Sequence, residues 1–443
     1  MVPDPSLTRR TVLGGAGALL GAAAVGTGLL APTWLPDPVT DAALELTPDP
    51  PDHLWRPAVT EAHADDAVAR LEAAVTEARR LRERVDTADV DDDVAFYLRG
   101  GDPSGGWLET AKSESDPHER LFDATYGMQF AGEVVGAARV ALGEVDAAAI
   151  VERGDRLRTA ADDVRDSLGD YPVSDPARDL GRLYYVEREL SLARLDSHRD
   201  GTFTGGVAPA ESYDAGDVAG TVGSHLQAEQ RIENARRYRD QYRENLADDP
   251  RPYRESLATA LDSLVAEIDE YPRRHEFQEA LRERDIDQST PYGAARWELF
   301  TLCFDGDFRF GYDADGYRSG HLVQRTTEAA RALLARRAHE FALSNLGVSP
   351  NDDGYDSGRA LRAKRRAMRT FRSVRETHDS PFASVLAAEA ASRIRAGHVG
   401  VSMADGDRPA WQPRVEATTY YLVGRGSLRE LGDVFGTVVA DER

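Results

Sequence analysis

A helical period runs through most of this chain and limits the folds that are open to it. From Thr60 onward, apolar residues recur at steps of three and four, with charged residues between them. This spacing places the apolar side chains on one face of a helix, because an α-helix makes a turn every 3.6 residues. Stretches that alternate apolar and polar residues over the length of a strand are scarce, so the sequence predicts an all-α fold. In the first periodic stretch, over 60–88, the apolar positions are Val68, Leu71, Val75, Ala78, Leu81 and Val85.

Proline marks several of the expected helix ends, because the residue before a proline is biased away from the helical conformation. About a dozen helices would bury their apolar faces in stacked antiparallel pairs, as a bundle, a solenoid or an α/α-toroid. A glycine-containing loop is expected over 89–117, and a break in the last helix near 424–426. After the helix over 60–88, helices are expected at about 119–142, 145–169, 176–199, 218–247, 252–271, 273–285, 291–304, 319–346, 358–377, 381–397 and 411–440.

The first 31 residues have the sequence pattern of a targeting segment. Arg9 and Arg10 precede Leu13 and an uncharged stretch over 11–31 that includes six glycines. As a helix this stretch would be about 31 Å long, close to the thickness of a bilayer core. Paired arginines followed by a weakly apolar segment resemble the twin-arginine (Tat) export signal. That resemblance implies the Tat translocase as a partner and export of the already folded chain.

Two features bear on the fate of this segment after export. No cysteine follows it for lipid attachment, and no clean A-x-A cleavage site lies at its end. We therefore expect residues 1–31 to persist as an anchor on the outer face of the cell membrane, with release to the outside after cleavage as the alternative. Seven prolines between residues 32 and 57 predict an extended, semi-rigid linker over 32–58. The all-α exported domain then spans 59–443.

The charge balance indicates the setting in which the chain folds. Asp and Glu number 77 against 54 Lys and Arg, the net charge is −23, and only Lys112 and Lys364 are lysines. Such a composition resembles the proteins of extremely halophilic archaea, where molar salt shortens the Debye length to about 3 Å and screens self-repulsion. A GC-rich genome would favour the same residues. The acidity argues against nucleic-acid binding.

No sequence motif for catalysis or cofactor binding is present, so no cofactor is predicted and the catalytic residues stay unassigned. The GxSxG, P-loop, HExxH and SxxK patterns are absent. The single cysteine, Cys303, excludes an intrachain disulfide and a cysteine-rich zinc site, and its apolar neighbours indicate an inert, buried thiol. His225, Glu229 and Glu233 recur at steps of four on one helix face, where they could contact a metal together with another helix. Such spacing is commonplace in so acidic a chain, and no metal site is predicted.

One segment gathers carboxylates and aromatic side chains. Over 304–321, four aspartates lie among five aromatic residues. A polysaccharide-cleaving cleft requires carboxylates beside aromatic faces, and a long loop that packs on helices requires them equally. The alternative function is therefore an exported helical glycoside hydrolase or lyase, which would draw on Asp305, Asp307, Asp313 or Asp315.

The most unusual local feature is a basic run in this acidic chain. Residues 359–375 contain eight positive side chains in 17 positions and no carboxylate. These side chains either pair with acidic neighbouring helices as an internal ion network, or stay on the surface and clamp anionic groups through bidentate guanidinium contacts. The second interpretation assigns anion or partner binding to Arg362, Arg365, Arg366, Arg369 and Arg372.

The export signal and the basic run together set the expected function. We expect a membrane-tethered helical binding or scaffold protein at the cell surface. Its partner would be an anionic polymer, a lipid head group or an acidic protein.

Overall fold

Helices make up nearly all the regular structure in the computed structural model, which describes residues 36–440 apart from 87–89, 100, 203–206, 285, 305–319 and 403–407. Within these residues there are fifteen α-helices and one pair of two-residue antiparallel strands, β1 (Pro172–Val173) and β2 (Arg251–Pro252). The helices are α1 (Asp37–Glu45), α2 (Glu61–Arg82), α3 (Asp92–Leu98), α4 (Trp107–Ser113), α5 (Pro117–Ala141), α6 (Ala147–Asp166), α7 (Pro176–Asp196), α8 (Ala215–Glu244), α9 (Arg254–Ile268), α10 (Arg274–Glu283), α11 (Pro291–Phe304), α12 (Leu322–Asn345), α13 (Ser357–Thr377), α14 (Pro381–Ser402) and α15 (Trp411–Val439).

The all-α prediction is confirmed, and most helix ends lie within a few residues of the expected positions. Two local predictions are wrong. The segment over 89–117 contains α3 and α4 instead of a continuous loop. The helix α15 also runs unbroken through Gly424 and Gly426. A Cβ at Gly424 would lie 2.8 Å from the carbonyl oxygen of Ala390, and one at Gly426 would lie 2.9 Å from the Cα of Ala338. These glycines therefore allow close helix packing and do not interrupt the helix.

Aspartate, the commonest acidic residue of the chain, starts many of these helices. The side chains of Asp116, Asp146, Asp175 and Asp356 each accept a hydrogen bond from a backbone N–H group in the first turn of α5, α6, α7 and α13. These N–H groups have no partner inside the helix, so a capping carboxylate stabilises the helix start. Part of the acidic composition thus has a structural role.

The helices pack as a bundle and not as a solenoid. In a solenoid each unit contacts only its neighbours along the chain, whereas here the most extensive contact joins α5 to α8, and α12 packs against α15. The main core cluster contains buried residues of α6–α9 together with residues of α12–α15. Smaller clusters lie among α2, α4 and α5, and among α10, α11, α12 and α15. The two halves of the chain therefore share one core.

The expectation of an extended linker over 32–58 is wrong where the structure describes it. Residues 37–45 form the helix α1, which packs on α13 with Thr40 and Leu44 fully buried. Proline does not prevent this helix, because Pro38 lies in the first turn, where its missing N–H group is not needed. The Nζ of Lys364 contacts the Oδ1 of Asp49 at 2.8 Å, which fixes the chain beyond α1 as well.

Ion pairs and hydrogen bonds hold the start of α1 to the C-terminal helices. The guanidinium of Arg414 donates to Asp37 at 2.5 Å and to Asp41 at 2.9 Å. The backbone N–H of Ser357 donates to the Oδ1 of Asp37 at 3.2 Å. Polar and apolar contacts thus act together, and α1 is part of the folded body.

Replacing Leu44 with alanine tests this docking. Its side chain is fully buried between α1 and the main core, so the variant should lose about 3 kcal/mol of unfolding free energy. Denaturant unfolding at molar KCl measures the loss. Leu46→Ala is the matched control: Leu46 is 62 % exposed, and its removal should change the unfolding free energy by less than about 0.5 kcal/mol. Equal effects of the two variants would contradict the docked position of α1.

Candidate anion-binding surface

The basic run of residues 359–375 lies on α13 and divides into an inward and an outward set. Lys364 is fully buried against Asp49. Arg359 pairs with Asp356 at 3.1 Å, and Arg375 donates to the hydroxyl of Ser384. Arg362 is half-buried and acts electrostatically on Tyr355. The internal-network interpretation thus describes Arg359 and Lys364, each of which has a carboxylate partner.

The remaining arginines of the run face solvent. Their side chains make no ion pair and no hydrogen bond with any residue that the structure describes, and they are Arg365, Arg366, Arg369 and Arg372. The helical period explains this position: the face of α13 that carries Leu361, Met368 and Phe371 is buried in the core, and the exposed arginines occupy the opposite face.

Two further arginines from α15 lie beside this face. The guanidinium groups of Arg425 and Arg429 lie over the ring of Phe341, with the Cζ atoms 5.2 and 4.8 Å from its centroid. In the described part of the chain neither has a carboxylate partner, and the buried Nε of Arg425 finds no acceptor. Partial burial lowers the pKa of Arg425, and the nearby charges of Arg366, Arg429 and Arg369 lower it further.

We call this set the arginine surface: Arg365, Arg366, Arg369 and Arg372 of α13 with Arg425 and Arg429 of α15. The positive charges of Arg366, Arg369 and Arg429 repel the guanidinium of Arg425, and a bound phosphate or carboxylate would offset that repulsion. At molar salt only direct contacts of this kind survive screening. The surface can therefore hold anionic groups at close range.

Sequence reasoning missed Arg425 and Arg429. They are four residues apart on a helix, which places them on one face, but Glu430 follows directly and hides the basic character of the segment. Their place beside Arg366 depends on the packing of α13 against α15, which no local pattern reveals.

The other sequence-based site candidates fall into two groups. Arg9, Arg10 and Leu13 of the export signal lie outside the described residues, and so do all four aspartates named for glycan cleavage, Asp305, Asp307, Asp313 and Asp315. Of the helices that the structure does describe, none is long and apolar enough to cross a membrane. Cys303 is fully buried, and burial raises the pKa of its thiol to about 12, as expected of an inert cysteine.

His225, Glu229 and Glu233 each contact different partners and do not converge on one site. The Nε2 of His225 donates to the carbonyl oxygen of Ser197 at 3.2 Å, and burial lowers the pKa of the imidazole to about 3. Glu229 pairs with Arg153 at 2.8 Å, and Glu233 pairs with arginines of its own helix. Within the described ranges, no three His, Cys, Asp or Glu side chains are grouped as a metal site.

Comparison with known proteins divides the chain into two segments. A family model described as Domain of unknown function (DUF8262) matches residues 62–249, and a second, described as Domain of unknown function (DUF8264), matches residues 254–440. No curated protein and no solved structure matches the chain. The interval between the matches contains β2, which pairs with β1 of the first segment. The arginine surface lies wholly within the second match.

Proposed function

We propose that this chain is a membrane-tethered helical binding protein at the outer face of the cell membrane, and that its arginine surface holds anionic groups there. The observation that carries the proposal is the absence of carboxylate partners for these six arginines within the described structure, in a chain of net charge −23. A purely structural ion network would have paired them, because acidic side chains are abundant.

The position of α1 favours lipid phosphate as the anion. The predicted anchor ends at residue 31, and α1 begins at Asp37 beside the start of α13. The six Cα-to-Cα steps from residue 31 to Asp37 span at most about 22 Å. The exposed arginines of α13 lie about 12–22 Å along that helix from Ser357. Lipid head groups around the anchor therefore lie at about the same distance from Asp37 as the exposed arginines of α13.

The test compares full-length variants on vesicles, so that the anchor contributes equally to each. Arg366→Gln/Arg369→Gln should partition about thirtyfold less onto vesicles that contain phosphatidylglycerol, since each of the two basic residues near an anionic surface contributes about 1 kcal/mol. Partition onto phosphatidylcholine vesicles should not change. Co-sedimentation at moderate and at molar KCl measures both, and the difference should shrink as salt rises.

A matched pair of substitutions controls for net charge. Arg80 and Arg156 are exposed and pair only with a glutamate three or four residues away in the same helix, so Arg80→Gln/Arg156→Gln removes the same charge from another surface. This variant should bind vesicles as wild type does. Equal losses in both double variants would refute a localised site. If the binding of soluble polyglutamate depends on Arg366 and Arg369 and the binding of vesicles does not, the anion is an acidic polymer and not lipid.

A further inference from the structure

A cleft of about 250 Å³ lies between α5, α7 and α8, far along the chain from the arginine surface. His53 and Arg56, which precede α2, also line it. Three helices that are distant in sequence thus converge on one concave region, as ligand sites between helices do.

An aromatic pair from α5 forms the rim of the cleft. The rings of Phe122 and Tyr126 are stacked, with centroids 6.0 Å apart and planes 5° from parallel, and they are 58 % and 37 % exposed. Trp107 of α4 contacts Tyr126 edge-to-face with centroids 4.9 Å apart. Scattered exposed aromatic residues are ordinary, but a braced pair at the mouth of a cleft offers a flat apolar platform to a ligand.

The opposite side of the cleft carries polar groups whose hydrogen-bonding capacity is unused. Gln227 is only 4 % exposed, yet its amide makes no hydrogen bond with any described residue. The hydroxyl of Tyr238 likewise has no hydrogen-bond partner among the described residues. Glu189 has only long contacts, to Asn234 at 3.5 Å and to Arg231 at 3.6 Å. Gln227 and Tyr238 line the cleft without a partner of their own, so they are available to hydrogen-bond a ligand there.

One positive charge faces the same space. Arg188 of α7 lines the cleft with its Cζ 5.8 Å from the centroid of Tyr185, and it has no carboxylate partner in the described structure. The other two arginines of the cleft are already paired, Arg56 with Asp116 and Glu119, and Arg231 with Asp196. Arg188 is therefore the guanidinium of this cleft that remains available to a ligand.

We infer that this cleft binds a uronic acid unit of an acidic saccharide. The ring of such a sugar has an apolar C–H face that packs on Phe122 and Tyr126. Its hydroxyl groups exchange hydrogen bonds with Gln227, Tyr238 and Glu189, and its carboxylate pairs with Arg188. The inference is independent of the arginine surface, because no residue is shared between the two sites.

Titration of the full-length protein with a tetrasaccharide of glucuronic acid tests the assignment, with tryptophan fluorescence as the readout. Trp107 contacts the aromatic rim, and Trp55 contacts Tyr185 of the cleft, so occupancy should change the emission. Tyr126→Ala and Gln227→Ala should each weaken binding by at least about tenfold, which corresponds to the loss of one good contact. In Arg188→Gln, the affinity for the acidic tetrasaccharide should fall to the affinity that wild type has for a tetrasaccharide of glucose.

Two controls show whether the saccharide binds in the cleft or elsewhere on the surface. Phe96 is 69 % exposed and packs edge-to-face on Tyr97, so Phe96→Ala removes an exposed aromatic ring that does not line the cleft and should leave binding unchanged. Arg366→Gln/Arg369→Gln should also leave it unchanged. If Tyr126→Ala, which alters an exposed side chain and should fold normally, binds as wild type does, the cleft assignment is wrong. Equal wild-type affinity for the two tetrasaccharides would overturn the role of Arg188.

Discussion

Alanine at Gly132 should destabilise the protein by about 3 kcal/mol, the upper end of the usual cost of overpacking, because the added methyl group meets backbone atoms. Gly132 lies where α5 crosses α8. A Cβ there would be 2.6 Å from the Cα of Gly223, and a Cβ at Gly136, one turn later, would be 2.5 Å from the carbonyl oxygen of Ala219. Both obstacles are backbone atoms, so no side-chain rotation can relieve the contact and the two helices must separate.

Disrupting both glycine positions where α5 crosses α8 should unfold the protein as a whole. This helix pair has the most extensive contact in the described fold, and a domain's whole stability is only about 5–15 kcal/mol. The double variant Gly132→Ala/Gly136→Ala should therefore be largely unfolded at molar KCl, where far-UV circular dichroism and denaturant titration measure the helical signal and the unfolding free energy.

Gly436→Ala is the matched control for this crossing. Gly436 is also inside a helix, α15, but a Cβ there meets no atom within 4 Å. Alanine should then raise the unfolding free energy by about 0.5–1 kcal/mol, as helix propensity predicts. The same substitution thus has opposite signs at the two positions. A loss at Gly436 equal to that at Gly132 would show that the close approach is not the cause.

Glutamine at Glu187 should remove a large pH dependence of stability. Glu187 is fully buried on α7, where its Oε2 accepts the backbone N–H of Gln324 at 2.7 Å and its Oε1 accepts the hydroxyl of Tyr171 at 2.5 Å. It thereby caps the start of α12. Burial raises the pKa of this carboxyl group to about 7, although the hydrogen bonds oppose the shift.

The sign of the effect follows from proton uptake. Between pH 4.5 and 7 the folded state keeps the proton of Glu187, whereas the unfolded chain releases it. The contribution of Glu187 to stability is therefore complete below about pH 4.5 and is lost as the pH rises through 7. A shift of this size corresponds to about 3 kcal/mol. Glutamine carries no titratable proton, and it can still accept from Gln324 and donate to Tyr171.

Denaturant unfolding of both proteins from pH 4.5 to 8 measures the difference. Wild type should lose about 3 kcal/mol relative to Glu187→Gln over this range. Burial lowers the pKa of His198 and His339 to about 4, so these histidines make the protein more stable as the pH rises through the same range. Comparing wild type with Glu187→Gln is needed because both proteins share this opposite effect. Glu109→Gln at an exposed position is the matched control and should reproduce the wild-type profile. Parallel profiles for wild type and Glu187→Gln would exclude a raised pKa.

Much of the helical framework could be predicted, because the apolar period and the capping aspartates are local signals. The prediction failed where tertiary contacts decide the outcome. Nothing in the proline-rich stretch around Pro38 indicates that Leu44 meets a pocket formed more than 300 residues later. Likewise, the glycines at 424 and 426 resemble helix breakers until the close approach of α12 and α14 is known.

The candidate sites likewise combine a local sequence signal with tertiary packing that the sequence does not reveal. The basic run of α13 is visible in the sequence, but only packing separates exposed Arg366 from buried Lys364. The saccharide cleft was missed because its parts come from three helices. One local signal was present, the aromatic residues Phe122, Tyr126 and Phe130 at steps of four on α5. Such a stripe more often fills a core, and only the exposure of Phe122 and Tyr126 in the fold indicates a platform.

The docked position of α1 has a consequence for the order in which the chain folds during synthesis. Asp37 is held by Ser357 and Arg414, which follow it by 320 and 377 positions. A nascent chain on the ribosome thus carries α1 without a docking place until the residues from Ser357 to Arg414 have been made. Docking of this helix therefore reports that α13 and the start of α15 have been made and folded against it.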